Sequence, residues 1–332
     1  MVATISENRT KIMGLCIGVI MLYHHPLCSI IPGMSFGCLG VDVFLFLSGF
    51  GLYFSLKASE EKHQTILSFY KRRFVRIMPA AIIAGLLLKW NGNFSSLSEC
   101  LAFSGLGLWY IRAILILYLF SPLFYRIISR SSCGSIMLIY GICIIGIVFL
   151  SMYVFQSLFS VGNMTFTWAL ARTPAFLMGM LVPVGMNLPF NVSNKLKIVI
   201  KICSALLAWR LISVFLTPNI NPLIKELSLY FGWFLFSFCI PELCLLLVRV
   251  ISFLNVKLQS ILSWMGIMSL ELYLVHESIY AYVGEFKPAS WLVRWGSMVL
   301  ISFIAAWLLN KICANLKFWR FFRKSKKTCT NS

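Results

Sequence analysis

The sequence is poor in charge. Only 12% of its 332 residues are charged, and Asp and Glu together number just 10, whereas 60% of the residues are apolar. A water-soluble globule of this composition would have to bury nearly every segment it has. The shortage of charge therefore argues against a soluble protein and indicates a chain solvated by lipid.

Three further features are missing. The 11 cysteines and 4 histidines show no CxxC or other metal-ligand spacing, so we predict inert, reduced cysteines and no metal site. The first apolar run lacks a small-residue cleavage site, which predicts a retained helix rather than a signal peptide. No internal repeat is evident, which counts against a transporter built from repeated halves.

What the sequence does have is a series of long apolar runs. Each is continuous for about 20 residues, which is enough to cross a bilayer as a helix and is unlike the alternating pattern of a membrane barrel. We therefore predict an all-α integral membrane protein, a single bundle of about ten transmembrane helices. The predicted spans are roughly 12–29, 37–56, 74–90, 107–126, 134–156, 165–186, 198–216, 228–250, 260–283 and 292–313.

The formal net charge of +19 lies between the apolar runs rather than on one soluble face, so we predict no nucleic-acid partner. With the N-terminus in the cytoplasm, most Lys and Arg residues fall on the cytoplasmic side, which predicts cytoplasmic N- and C-termini. The predicted organisation is a cytoplasmic N-terminus over 1–11, a transmembrane domain over 12–313 and a basic cytoplasmic tail over 314–332.

Ionisable side chains within the predicted spans are functional candidates, because charge near the middle of a bilayer is costly. Helix rise places several of them in the outer halves of their spans, which predicts a common polar cavity. The alternative is a set of structural ion pairs, for example between Asp42 and Arg112, and we favour a structural role for Arg210 and Glu242. The candidates are His24, His25, Asp42, Arg112, Arg172, Arg210, Glu242, Glu271, His276 and Glu277.

A basic segment, residues 69–79 (FYKRRFVRIMP), lies at the predicted inner face. Arg73 and Arg76 are three residues apart, so on a helix they share a face and can bind one polyanion together. Taken alone, such a basic run is more often the ordinary positively charged segment beside a transmembrane helix, where it contacts lipid phosphates.

Six segments, in order along the chain, carry motifs that are recognisable together. They are an apolar run ending in histidine over residues 14–25, GVDVFLFLSGF over 40–50, and the segments 73–79, 108–122, 172–180 and 264–276. These segments resemble the type 3 membrane acyltransferase family. The first is similar to the family's first helix, which ends in its key histidine, and the second resembles its GVDxFFxLSGF segment. The remaining four resemble, in order, its RxxR-I-x-P, LWxL...Y...P, RxPxFLxGM and GxxSLxxYLxH motifs.

This resemblance implies that an acyl group, expected to be acetyl, moves from cytoplasmic acyl-CoA to an acceptor hydroxyl. His24 would be the general base and Asp42 its orienting carboxylate. Arg73 and Arg76 would hold the coenzyme A phosphates as the donor binds.

The resemblance also implies substrate contacts from several other candidates. Arg112 and Arg172, with Trp109 and Tyr273, are possible oxyanion donors, and His276 and Glu277 possible contacts to acceptor hydroxyls. The family usually has Arg or Lys eleven positions before its histidine, where this chain has Met13. Arg9, one turn earlier on the same face, or the nearby Lys11 could supply that charge, and Arg9 is the better placed.

The resulting prediction is a multi-pass protein of the inner, cytoplasmic membrane that O-acylates a cell-envelope glycan. Its partners would be membrane lipids, acyl-CoA as donor substrate and a glycan or other hydroxyl acceptor, with no permanently bound cofactor. Two alternatives stay open: a transporter or flippase for a solute or lipid-linked sugar, and a catalytically silent membrane scaffold of the same family.

Overall fold

The computed structural model describes residues 1–29, 37–90, 109–130, 146, 171–185, 194–217, 219–285 and 290–315. Over these residues the chain forms eleven α-helices and no strand, which confirms the all-α prediction. The helices are α1 Val2–His24, α2 Leu39–Glu61, α3 Ile66–Trp90, α4 Trp109–Arg130, α5 Thr173–Leu181, α6 Asn194–Leu216, α7 Pro222–Ser237, α8 Ile240–Ser252, α9 Val256–Ile267, α10 Ser269–Glu285 and α11 Trp291–Asn315.

Within the described residues, three helical segments are long and apolar enough to cross a membrane: Leu39–Glu61, Trp109–Arg130 and Trp295–Asn315. Two bent helix pairs raise this number to five if each pair is one span. The predicted span 134–156 apart from residue 146, the first part of 165–186 and the tail from residue 316 lie outside the described residues. The total of ten spans, the orientation of the termini and the domain boundaries stay predictions.

The bent pairs change two of the predicted spans. Residues 228–250 fall on Leu227–Ser237 and Ile240–Ser252, which meet at 54°, and residues 260–283 fall on Val256–Ile267 and Ser269–Tyr280, which meet at 81°. Pro241 explains the first break, because proline lacks an N–H and is tolerated only in the first turn of a helix, where it lies in α8. Each predicted span is thus two helices rather than one.

The first helix ends earlier than predicted. We expected a span to residue 29, but α1 ends at His24 and a 3-10 helix follows over Pro26–Ser29. Proline disfavours helical backbone at the residue before it, here His25, so the α-helix ends there. His24 therefore lies in the last turn of α1, at the end where helix carbonyls favour a cation.

The chain divides into two compact units. Unit 1 comprises Met1–Arg9, Val41–His63 and Ala113–Phe253, and unit 2 comprises Thr10–Gly40, Gln64–Arg112 and Leu254–Ser332. In unit 1, α7 packs against α5 and α6. In unit 2, α10 packs against α3, α9 and α11, and α3 also contacts α11.

Glycine lets two helices of unit 1 touch through their backbones. A Cβ atom added at Gly49 of α2 would lie 2.0 Å from the carbonyl oxygen of Phe176, and one added at Gly179 of α5 would lie 2.0 Å from the carbonyl oxygen of Phe46. Since the contacts are reciprocal and involve backbone, neither helix can adjust a side chain to make room. Small residues at a membrane helix crossing permit this close packing.

We expect Gly49→Ala to destabilise the protein, because the added methyl group overlaps the Phe176 carbonyl and the helices must separate. Overpacking of this kind costs about 1–3 kcal/mol. The thermal unfolding midpoint of the detergent-solubilised protein should fall. Gly296→Ala is the matched control, since nothing lies within 4 Å of its added Cβ, and its midpoint should be unchanged or higher.

Unit 2 has a similar backbone crossing between α1 and α9. A Cβ atom at Gly14 would lie 1.8 Å from the Leu262 carbonyl oxygen, and one at Gly266 would lie 1.9 Å from the Thr10 carbonyl oxygen. This crossing fixes α1, which carries His24, against the helix that leads into α10.

Large apolar side chains are exposed along whole helices. On α6 they include Ile202, Leu206 and Trp209, which are 55%, 64% and 55% exposed, and on α11 they include Leu300, which is 61% exposed. Such extended apolar surfaces are unusual on soluble monomers and normal where a helix faces lipid. Together with the apolar helices above, they agree with a multi-pass membrane protein.

Candidate active site

The candidate site of unit 2 is a pair of histidines. His24 lies in the last turn of α1 and His276 lies in the middle of α10, and the Nδ1 atom of His24 is 3.0 Å from the Nε2 atom of His276. His24 is exposed, whereas His276 is only 1% exposed. One imidazole is thus accessible to a substrate while the other is held behind it.

The backbone of α10 fixes the orientation of His276. Its Nδ1 atom lies 3.0 Å from the carbonyl oxygen of Leu272 and 2.9 Å from that of Tyr273. Carbonyl oxygens only accept hydrogen bonds, so His276 Nδ1 donates. The Nε2 atom of His276 is left to face His24.

Aromatic rings enclose the pair. The Tyr23 ring packs edge-on against His24 with centroids 4.9 Å apart, and the rings of Tyr273 and Tyr280 lie 5.9 Å and 5.8 Å from that of His276. The Tyr280 hydroxyl is buried and has no hydrogen-bond partner among the described residues. These rings limit the rotation of both imidazoles and shield His276 from solvent.

The neighbouring His25 has a different environment. It is 2% exposed, its Nε2 atom lies 3.3 Å from the Trp295 carbonyl oxygen, and its ring packs against Tyr280 and Trp295. A nitrogen facing a carbonyl must donate, so Nε2 of His25 is protonated. Of the two adjacent histidines, His24 is the one that is open to a reactant.

The predicted phosphate-binding arginines, Arg73 and Arg76, both lie on α3 in unit 2. Of these two, Arg76 alone has an ion-pair partner among the described residues. Its Nη1 atom is 2.7 Å from Oε1 of Glu271, and the Nδ2 atom of Asn310 donates to the same oxygen at 3.0 Å. The Glu271 side chain is 1% exposed and that of Arg76 is 41% exposed. Arg73 is half-buried, with its guanidinium 5.6 Å from the ring centroid of Phe69.

Two further predicted residues lie in unit 2. Arg112 is half-buried near the start of α4, and Glu277 is half-buried on α10, directly after His276. Their predicted roles toward substrate stay predictions.

Unit 1 contains a buried ion pair. Asp42 lies in the first turn of α2, and its Oδ1 atom is 3.4 Å from Nε of Arg172, the residue that precedes α5. The two side chains are 0% and 2% exposed, and the Arg172 guanidinium lies 4.7 Å from the Trp233 ring centroid. The sequence named both residues as candidates, but it named Arg112 rather than Arg172 as a structural partner for Asp42.

Arg9 also belongs to unit 1. Its guanidinium lies against Gly51 of α2, so closely that a Cβ atom added at Gly51 would be 2.8 Å from the guanidinium carbon. Its predicted contact with the donor stays a prediction.

Some of these contacts have no signal in the sequence. His24 and His276 are 252 residues apart, and Arg76 and Glu271 are 195 residues apart. The ionisable character of all four residues within apolar helices could be read from the sequence, but their pairing could not. Among the described residues, no group of three His, Cys, Asp or Glu side chains lies close enough to hold a metal ion.

Chemically, the histidine pair can accept a proton at an exposed imidazole and hold that imidazole in one orientation. Both histidines lie in segments that the family resemblance singles out. The acyltransferase domain family model matches residues 13–311, which is most of the chain. No significant match was found among curated proteins or among solved structures. The match over nearly the whole helical region shows that this chain belongs to the acyltransferase 3 family of membrane proteins.

Proposed function

We propose that this protein is a membrane O-acyltransferase that moves an acetyl group from acetyl-CoA to a hydroxyl of a cell-envelope glycan. Family membership supports membrane acyltransferase activity in general. The observation that carries the proposal is the exposed His24 imidazole backed by His276 at 3.0 Å. A hydroxyl is a weak nucleophile at neutral pH, and this pair supplies the base that it needs.

In the proposed reaction, the acceptor oxygen attacks the thioester carbonyl carbon while His24 takes the hydroxyl proton. The carbon–sulfur bond then breaks, and the coenzyme A thiolate leaves with the proton that His24 returns. The products are an acyl ester and free coenzyme A, and His24 is regenerated. The C-terminal end of α1 stabilises the imidazolium that forms at His24 during the cycle.

The donor is proposed to bind through Arg73 and Arg76, with Arg9 in the place of the family's missing basic residue at Met13. Arg73 is the stronger candidate, because the guanidinium of Arg76 already pairs with Glu271. Glu271 holds Arg76 in one orientation. The Arg76 side chain nevertheless remains 41% exposed. Substrate contacts are proposed from Arg112 and Arg172, as donors to the developing oxyanion, and from Glu277, as a contact to acceptor hydroxyls, while His276 lies behind His24.

The test of this proposal has two parts. Purified protein in lipid nanodiscs, given acetyl-CoA and envelope glycan, should release the coenzyme A thiol and acetylate the glycan. A deletion strain should lose envelope acetyl esters and regain them on complementation. Substrate movement without thiol release would instead identify a transporter or flippase, and neither activity would identify a silent scaffold.

Replacing Arg73 and Arg76 together by Lys should raise the KM for acetyl-CoA by about 10-fold or more. Lysine keeps the charge but lacks the planar fork that binds a phosphate through two hydrogen bonds. Steady-state kinetics at saturating acceptor measure the change, and Arg73→Lys alone should account for most of it. Arg249→Lys, which changes an exposed arginine of unit 1, is the control. An unchanged KM in the double variant would refute the role of these arginines in donor binding.

A further inference from the structure

We propose that His276 is a positioning residue that fixes the tautomer of His24, so that the base at the active site is the Nε2 atom of His24. This inference rests on the proposed function and deepens it, since it assigns the reacting atom and the residue that exposes it. This arrangement needs no carboxylate, because backbone carbonyl oxygens of α10 accept the hydrogen bond from His276.

The buried end of this chain of contacts lies within α10. His276 Nδ1 lies 3.0 Å and 2.9 Å from the carbonyl oxygens of Leu272 and Tyr273, one turn earlier on its own helix. A carbonyl oxygen has no proton to give, so the proton of this contact belongs to His276 Nδ1. Rotation of the ring would break both contacts, and the packing of Tyr280 against the ring opposes it.

The protonation state of the second ring nitrogen of His276, Nε2, follows from that of Nδ1. A neutral imidazole has one protonated and one unprotonated nitrogen, so His276 Nε2 is an acceptor. The neutral form is favoured because His276 is 1% exposed and an unpaired buried charge is costly. His276 therefore presents a lone pair to His24.

The contact between the two rings then determines the tautomer of His24. His24 Nδ1 lies 3.0 Å from His276 Nε2, and two unprotonated nitrogens facing each other would repel. His24 Nδ1 must carry the proton and donate it. In neutral His24 the remaining nitrogen, Nε2, is then unprotonated and is the atom that accepts a proton from the acceptor hydroxyl.

During transfer, His24 becomes an imidazolium whose Nδ1 proton is still donated to His276. The positive charge stays on His24, which is exposed and lies at the C-terminal end of α1, rather than on the buried His276. His276 thus acts in the way that an orienting carboxylate does for a catalytic histidine, with a neutral ring in its place.

The test combines nitrogen NMR with kinetics on the full chain in nanodiscs. With 15N-labelled histidine, the wild-type His24 should show a protonated Nδ1 and an unprotonated Nε2, with assignment by single replacement of the four histidines. In His276→Leu, which removes the acceptor supplied by His276 while the contact of His24 with the Ile20 backbone stays, this tautomer of His24 should become less populated and kcat should fall by about 10²–10⁴-fold. The KM for acetyl-CoA should change by less than about 3-fold, since Arg73 and Arg76, which are proposed to hold the donor, lie on α3.

His276→Gln separates tautomer control from simple packing. The Oε1 atom of glutamine can accept the Nδ1 proton of His24 in place of His276 Nε2, so this variant should keep the tautomer and recover most of the lost kcat. A wild-type-like tautomer in His276→Leu would overturn the inference, as would undiminished kcat once the tautomer is lost. If the wild-type protein transfers no acyl group, the proposed function fails, whereas the NMR comparison of the same variants still decides whether His276 controls the tautomer.

Discussion

His24→Ala is expected to lower acyl transfer by about 10²–10⁴-fold, the usual contribution of a general base. The side chain is exposed in the last turn of α1, so its removal leaves no cavity in the core and the protein should insert and fold normally. Release of the coenzyme A thiol from acetyl-CoA in nanodiscs measures the rate. Membrane yield and the thermal unfolding midpoint show whether folding is retained.

The matched control for this variant is His25→Gln. Glutamine carries an amide N–H where His25 has its Nε2–H, so it can still donate to the Trp295 carbonyl. Transfer in this variant should stay within about 3-fold of wild type, because no proton moves through His25 in the proposed reaction. Full activity in His24→Ala would refute the role of His24, and loss of activity in His25→Gln alone would assign the base to His25.

The sequence predicts much of this site because lipid makes polar residues conspicuous. In an apolar helix, each ionisable residue is costly and is retained for a reason, so His24, Asp42, Arg172, Glu271 and His276 all stand out. The basic segment around Arg73 can be recognised for the opposite reason, since positive charge is favoured at the membrane–water interface on the cytoplasmic side. The fold class follows from the same physics, because lipid-exposed backbone must satisfy its own hydrogen bonds.

What the sequence does not predict is how these residues pair. The approach of His276 to His24, or of Glu271 to Arg76, depends on helix packing in unit 2 rather than on any local pattern. The end of α1 at His24 could have been read from Pro26, and the break before α8 from Pro241. The 81° bend between α9 and α10 contains no proline and has no comparable signal.

The pairing matters most for Asp42, for which the sequence suggests two roles. As an orienting residue, Asp42 would act on His24, and as a structural residue it would neutralise a buried cation. The structure shows the ion pair with Arg172, with both side chains almost fully buried. This contact supports the structural role, and the catalytic role stays a prediction.

Asp42→Leu alone is expected to be strongly destabilising, by about 3–5 kcal/mol, because it leaves the charge of Arg172 buried without a carboxylate. Arg172→Met alone should cost a similar amount, since it strands the carboxylate and removes the packing against Trp233. The double variant Asp42→Leu/Arg172→Met should recover much of this loss, because replacing a buried ion pair by apolar side chains of similar volume is often neutral. Unfolding free energies in mixed detergent micelles measure the interaction free energy between Asp42 and Arg172.

The Lys201–Glu242 ion pair is the control. Its interaction free energy should be smaller, because its side chains are 25% and 42% exposed.

The activity of the folded double variant then separates the two roles of Asp42. A structural pair predicts that the double variant, once its stability is recovered, transfers acetyl groups with a kcat close to that of wild type. An orienting carboxylate predicts a folded protein with kcat lowered by orders of magnitude, because no apolar residue can fix the imidazole of His24. Because the structure gives His24 the His276 ring as its partner at Nδ1, we expect the first outcome. A stable double variant with wild-type acetyl-CoA KM and a collapsed kcat would instead establish Asp42 or Arg172 as part of the reaction.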